Sequence, residues 1–181
     1  MVEFARFLHA GGVELVSTGG TKKALEGAGL PVTAVSAVTG FPEMLGGRVK
    51  TLHPHIHAGV LADKDDPAHL AALAGHGLRP FDLVCVNLYD FAQAVGADAP
   101  LKAAVEQIDI GGPTMLRASA KNFHSVLVVP GVAHYPAIMD ELKAGAFHVG
   151  LETRRRLAAE TFGLVSRYDA MIADYLGKKS A

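Results

Sequence analysis

The chain has 181 residues, 50% of them hydrophobic and 19% charged, with a formal net charge of −1. That apolar content supports one domain, residues 1–181, with its own core, and excludes a disordered chain. The near-neutral balance argues against a nucleic-acid partner, and no run approaches the ~18 apolar residues that would imply a membrane partner.

The opening residues Val2, Phe4, Ala5, Leu8 and His9 follow helical spacing up to Gly11-Gly12. Val13-Glu14-Leu15-Val16 reads as a short buried strand. Ser17-Thr18-Gly19-Gly20-Thr21 then turns into a helix over Lys22 to Glu26, and Val32 to Val35 reads as a second strand. Residues 39 to 55 read as a long loop, which in compact domains usually carries function. A helix near 67 to 75 precedes the clearest strand, Phe81 to Val86. Helices are expected near 90 to 95, 100 to 107 and 113 to 121, the last with Pro113 suited to its first turn. Ser125 to Val129 reads as a strand, and 151 to 176 as one or two helices. Strands alternating with helices imply an α/β fold, a mostly parallel sheet with helices on both faces, and ligands beyond the carboxyl ends of the strands.

Cys85, the one cysteine, lies in the apolar run Leu83-Val84-Cys85-Val86 and reads as a buried, inert thiol. It cannot form an internal disulfide or a thiolate zinc cluster, so a cytoplasmic setting is expected.

The polar runs carry the chemistry. Gly46-Gly47-Arg48-Val49-Lys50-Thr51-Leu52-His53-Pro54 holds two cations, a hydroxyl and an imidazole, with no acid between Glu43 and Asp63. A solvated face would mix charge signs, so this run suits an anion. Ser17 to Thr21 joins a strand to a helix. Its glycines let backbone amides approach a phosphate, but a plain capped turn fits as well. It is neither a Walker loop nor a Gly-x-Gly-x-x-Gly fingerprint. His53, His55 and His57 alternate, which in an extended chain puts them on one side. A zinc site would need further ligands converging on them, and the metal-dependent amidohydrolase barrels that use His-x-His are longer than this chain. No metal is expected. Asp109, between two isoleucines and before Gly111-Gly112-Pro113, is either a helix cap or a catalytic carboxylate. Taken alone, Arg117 is an ordinary surface arginine, Tyr89 a core or rim aromatic, and Lys121 a solvated lysine at a helix end.

Taken together, GFPEMLGGRVKTLHP (40 to 54), NLY (87 to 89), IDIGGPT (108 to 114) and LRASAKN (116 to 122) resemble the inosine monophosphate cyclohydrolase domain of the bifunctional purine-biosynthesis enzymes. The STGGT loop (17 to 21) and SRYDAMIADYL (166 to 176) fit too, so the likeness runs from about residue 2 to 177. It implies a methylglyoxal-synthase-like three-layer fold and ring closure of 5-formamidoimidazole-4-carboxamide ribonucleotide to inosine monophosphate, with no cofactor. It assigns Lys50, Tyr89, Asp109 and Lys121 to catalysis. Asp109 and Lys121 would handle protons, and Lys50 with Tyr89 would stabilise charge on the formyl oxygen. Ser17, Thr18, Gly19, Gly20, Thr21, Arg48, Thr51, Asn87, Ile110, Gly111 and Gly112 would contact the nucleotide. A homodimer is expected, and a formyltransferase domain or partner.

The chain departs from the family at Asp90, where proline usually follows NLY. His55 stands at a variable position. The resemblance also places a strand and a Ser-Val-Ser-Asp-Lys turn before the first helix, with that strand in the middle of the sheet. Here Met1 already adjoins the helix, so a truncated form lacking the strand is expected. Two other functions share the fold. Methylglyoxal synthase relies on a carboxylate base in a motif not found here. A nucleotide-sensing regulatory domain would need no Asp109–Lys121 pair.

Overall fold

The computed structural model describes residues 1–88, 91 and 100–178. Helix α1 (Val2–Ala10) leads to β1 (Val16–Ser17), α2 (Gly19–Gly27), β2 (Thr33–Ala34) and α3 (Val35–Thr39). A 3-10 turn at Leu45–Gly47 precedes α4 (Pro54–Leu61), α5 (Pro67–Gly75) and β3 (Leu83–Cys85). Then come α6 (Leu101–Val105), α7 (Gly111–Lys121), β4 (Leu127–Val129), a 3-10 turn at Val132–His134, α8 (Tyr135–Ala144) and α9 (Leu151–Lys178). The expected helix near 90 to 95 lies outside the described residues, apart from Phe91.

Local chemistry sets these boundaries. Helix α1 buries Phe4, Ala5 and Leu8, one stripe at 3,4 spacing. Helix α5 starts where the Asp66 side chain accepts from the Ala68 amide at 2.8 Å, with Pro67 at its first position. Helix α9 is one continuous helix that buries Leu157, Ala158, Thr161, Val165 and Tyr168.

The strands form parallel pairs, as expected for an α/β fold. Val16 pairs with Thr33 and Ser17 with Ala34. Leu83, Val84 and Cys85 pair with Leu127, Val128 and Val129. Among the described residues the two pairs remain separate two-stranded sheets. The main core joins Phe4 and Leu8 of α1, Leu116 and Ala120 of α7, all of β4, Ile138 and Leu142 of α8, and Leu157 and Val165 of α9. A second cluster joins Val60 of α4 with Val84, Ala118 and Val126.

Several expectations shift. The first strand runs over 16–17 instead of 13–16, because among the described residues its one ladder partner is β2, which meets it at its end. The loop expected over 39–55 is shorter, since α3 and α4 take its ends. The second strand, expected over Val32 to Val35, runs over Thr33–Ala34, and helix α3, which was not anticipated, starts at Val35 and buries Val35 and Thr39. Helix α8 was not anticipated, although Tyr135, Ile138 and Leu142 have helical spacing. Cys85 is exposed and not buried, because it opens onto a cavity between the two strand pairs. Protein still surrounds it, and that desolvation pushes its thiol pKa up.

Candidate active site

The cavity has a volume of about 2400 Å³ and receives nearly every residue that the sequence singled out. Ser17, Thr18, Gly20 and Thr21 line it from the β1–α2 junction. Arg48, Lys50 and Thr51 line it from the cationic loop. Asn87 follows β3, and Asp109, Ile110, Gly111 and Gly112 lead into α7. Tyr89 lies outside the described residues.

The start of α2 leaves its first amides without side-chain caps. Thr18 sits at the N-cap in extended conformation (φ −142°, ψ 168°) without using its side chain as a cap. The first amides of a helix lack intrahelical partners and carry the positive end of its dipole. Gly19 adopts φ +57°, where glycine is unstrained, and Lys50 Nζ lies 3.7 Å from where a Cβ on Gly19 would be. Folding therefore brings the Lys50 ammonium of one motif beside Gly19 of another, far away in sequence.

Two acids that sequence reasoning passed over bond to side chains of this region. The Thr18 hydroxyl donates to the Glu43 carboxylate. Arg48 Nε donates to Glu106 Oε2 at 3.1 Å, and its terminal nitrogen bonds the other oxygen. Both contacts are exposed, so each is weak and displaceable. The only sequence hint was their position, Glu43 closing the acid-free run and Glu106 preceding IDIGGPT.

Asp109 both caps and faces the cavity. Its Oδ1 accepts from the Gly112 amide at 3.0 Å, and its own amide donates to the Tyr168 hydroxyl at 2.8 Å. A side chain on Gly112 would overlap the Asp109 carboxylate, and one on Gly111 would meet Thr51 Oγ1 at 2.9 Å. The glycines let the cationic loop and the carboxylate close on α7. Tyr168 was visible only as part of SRYDAMIADYL.

Lys121 stands apart. It is exposed at the last position of α7, while Asp109 precedes the first. At ~1.5 Å rise per residue the two lie on the order of 15 Å apart along the helix. The structure does not bring them together, and Lys121 does not line the cavity. Its neighbour Asn122 does structural work: Nδ2 donates to Val60 O and Ala62 O, both at 2.8 Å. Those bonds satisfy carbonyls at the end of α4 and tie the element after the cationic loop to α7.

Asn87 Nδ2 donates to the Tyr135 hydroxyl at 2.9 Å, and Cys85 Sγ lies 3.3 Å from the same oxygen. Burial, with the Cys85 contact adding to it, pushes Tyr135 up to about 12.

The three histidines do not share one side. His53 is the N-cap of α4, its Nδ1 accepting from the His55 amide at 3.1 Å, and His55 and His57 lie within the helix. At ~100° per residue, positions two apart diverge. The rings of His53 and His55 meet edge to face at 4.7 Å. Burial lowers the His57 pKa. Among the described residues no three His, Cys, Asp or Glu side chains cluster to hold a metal.

Fold and site together define an α/β domain in which the start of α2 and the Asp109 carboxylate line one cavity. Residues 1–114 match the MGS-like domain family, and the chain belongs to that family. Residues 119–181 match the AICARFT/IMPCHase bienzyme family. The chain is 55% identical over 177 residues to the bifunctional purine biosynthesis protein PurH of Chloroflexus aurantiacus. That match covers 97% of this chain and 34% of PurH, so the chain spans about a third of the relative's length. It also resembles the crystal structure of ForH, with a TM-score of 0.87 and 34% identity, covering 97% of this chain and 90% of that one.

Proposed function

We propose that this domain is an inosine monophosphate cyclohydrolase, closing the second purine ring of 5-formamidoimidazole-4-carboxamide ribonucleotide. The observation that carries the reading is the meeting of Lys50 with the Gly19 end of α2, across a cavity also lined by Asp109. The likeness to PurH supports it.

The carboxamide nitrogen attacks the formyl carbon, forming a C–N bond and losing one proton. The formyl oxygen becomes the hydroxyl of a carbinolamine. It then leaves as water as the formamide nitrogen gives up its proton. Both reacting groups sit on one ring, so the protein mainly sets the formyl rotamer, moves protons and stabilises an oxyanion. The Ser17–Thr21 turn and Arg48 hold the phosphate, displacing the Glu43 and Glu106 carboxylates. Lys50, with Tyr89, faces the developing oxyanion. Asp109 takes the proton of the poor amide nucleophile. Lys121 is assigned to proton handling by the resemblance alone, and acts only if the loaded site draws it in from the far end of α7.

The domain works in the cytoplasm as a homodimer, on a purine ribonucleotide, beside a formyltransferase domain or partner. Among the described residues no helix is long and apolar enough to cross a membrane. Turnover of the formylated ribonucleotide, followed by ultraviolet absorbance, tests the activity. A domain that binds inosine monophosphate without turnover would be a nucleotide sensor instead.

A further inference from the structure

The turn that carries Gly47 is tied at its base. Met44 and Val49 form an antiparallel bridge. The Met44 amide donates to Val49 O at 3.2 Å, and the Gly47 amide to Met44 O at 2.9 Å. Between the bridge residues, Leu45, Gly46 and Gly47 all take left-handed φ, +54°, +65° and +92°. The end of the Lys50 side chain lies over Gly47. A Cβ on Gly47 would stand 2.8 Å from Lys50 Cε and 3.0 Å from its Nζ, both closer than van der Waals contact allows. The same Nζ lies 3.7 Å from where a Cβ on Gly19 would be. Among the described residues the Lys50 ammonium has no carboxylate partner, whereas Arg48 is paired with Glu106. Packing, and not an ion pair, therefore sets where Lys50 points.

We propose that Gly47 is a positioning residue for the reaction: it is bare so that Lys50 can lie across it and hold its ammonium at the start of α2. A side chain at position 47 and the end of Lys50 cannot share this space. The turn is bonded at its base, while Lys50 ends in a flexible four-carbon stem, so it is Lys50 that gives way. The fold then tolerates the change and the chemistry does not, because a displacement of ~1 Å in a reacting group costs about 10²-fold in rate. Backbone strain and the space for Lys50 are two separate demands, and Gly29 makes only the first. It follows α2, takes φ +77°, has nothing within 4 Å of its Cβ position and does not line the cavity. The role of Gly47 in the reaction rests on the cyclohydrolase reading of Lys50, and its hold on the Lys50 side chain rests on the geometry alone.

The test sets Gly47→Ala beside Gly29→Ala. Both put a Cβ on left-handed backbone, so both should lower Tm by similar amounts. Only the first should disturb Lys50. Turnover of the formylated ribonucleotide should show kcat down by about 10²-fold in Gly47→Ala with KM within about threefold. Gly29→Ala should change neither. In a Lys50→Ala background, Gly47→Ala should cost no further rate, because the group it acts through is gone. A second measurement needs no turnover. Lysine acylation read by mass spectrometry should label Lys50 at least about threefold faster in Gly47→Ala, its ammonium having moved into solvent, with the other lysines unchanged. If Gly47→Ala fails to fold, Gly47→Asn replaces it, since asparagine tolerates left-handed φ but still carries a Cβ. Unchanged Lys50 labelling would overturn the proposal. So would an equal loss of rate in Gly29→Ala, or a loss from Gly47→Ala that persists in the Lys50→Ala background. Faster Lys50 labelling in Gly47→Ala, with no turnover by the parent, would uphold the hold of Gly47 on Lys50 and remove the cyclohydrolase reading instead.

Discussion

The half of the molecule around β1 and β2 and the half around β3 and β4 are built on opposite terms. All three residues of β4 are buried, packed with α7 and α9 in the main core. Both residues of β1 and of β2 are only half-buried, and the adjoining cationic loop exposes Phe41, Met44, Leu45 and Leu52. The deep half supplies Asp109, held by the Gly112 amide and Tyr168. The shallow half supplies Lys50, and Thr18 and Arg48, whose contacts with Glu43 and Glu106 are exposed. A site made this way has a fixed carboxylate and an adjustable cationic wall. Stability and ligand binding should therefore be separable by mutation.

The largest effect should fall on the deep half. Leu116 is fully buried in α7, and Leu116→Ala should cost ~2–5 kcal/mol through lost burial and a cavity. Chemical denaturation would show it, and a loss below ~1 kcal/mol would mean that this half is no more rigid than the other. Lys50→Ala should do the reverse. Cyclisation should fall by ~10²–10³, the worth of an oxyanion donor, while Tm stays unchanged because the loop makes few core contacts. A folded variant keeping its rate within about threefold would remove Lys50 from the chemistry.

Asp109 joins the two halves and so sharpens the comparison. Asp109→Asn should keep the cap on the Gly112 amide, since asparagine caps about as well, yet lose activity. Asp109→Ala should lose both, with ~0.5–2 kcal/mol of stability. Normal turnover by Asp109→Asn would make the residue structural. Lys121→Ala decides whether the far end of α7 reaches the site: unchanged kcat would place it outside the proton path, and non-additivity with Asp109→Asn would place it within.

Smaller effects are expected from the exposed acids and from pH. Glu43→Gln removes an anion from Thr18, and inosine monophosphate should bind about two- to fivefold tighter by calorimetry, the worth of one exposed charge contact. Weaker binding would show that Glu43 orders the loop instead. Tyr135 is pushed up to about 12 in the folded chain, against ~10 for an unfolded tyrosine. Between those values the folded state holds the proton more tightly. Its contribution is full below pH ~10 and is lost as pH rises through that window. Denaturant midpoints of the parent should fall there more steeply than those of Tyr135→Phe.

Much of this was legible from the sequence, and the reasons differ by element. Helices α1, α5 and α7 and the parallel pairing could be read because apolar spacing, Asp66-Pro67 and Gly111-Gly112-Pro113 act over a few residues. The site motifs could be read because cations, hydroxyls and glycines gathered without acids have few structural uses. Helix α3 was missed because five residues are too few to show a helical period. His53, His55 and His57 misled because the Pro54 helix start outweighed an extended reading of their alternation.

The sequence alone determined the α/β class, the glycine-rich and acid-free composition of the 17–21 and 46–54 runs, and the family likeness, since each depends on residue types at short range. Only the tertiary structure decided the rest. It set Lys50 beside Gly19, tied Arg48 to Glu106 and Thr18 to Glu43, and parted Lys121 from Asp109 by the length of α7. Those are distances between residues far apart in the chain, and chain packing, not local propensity, sets them.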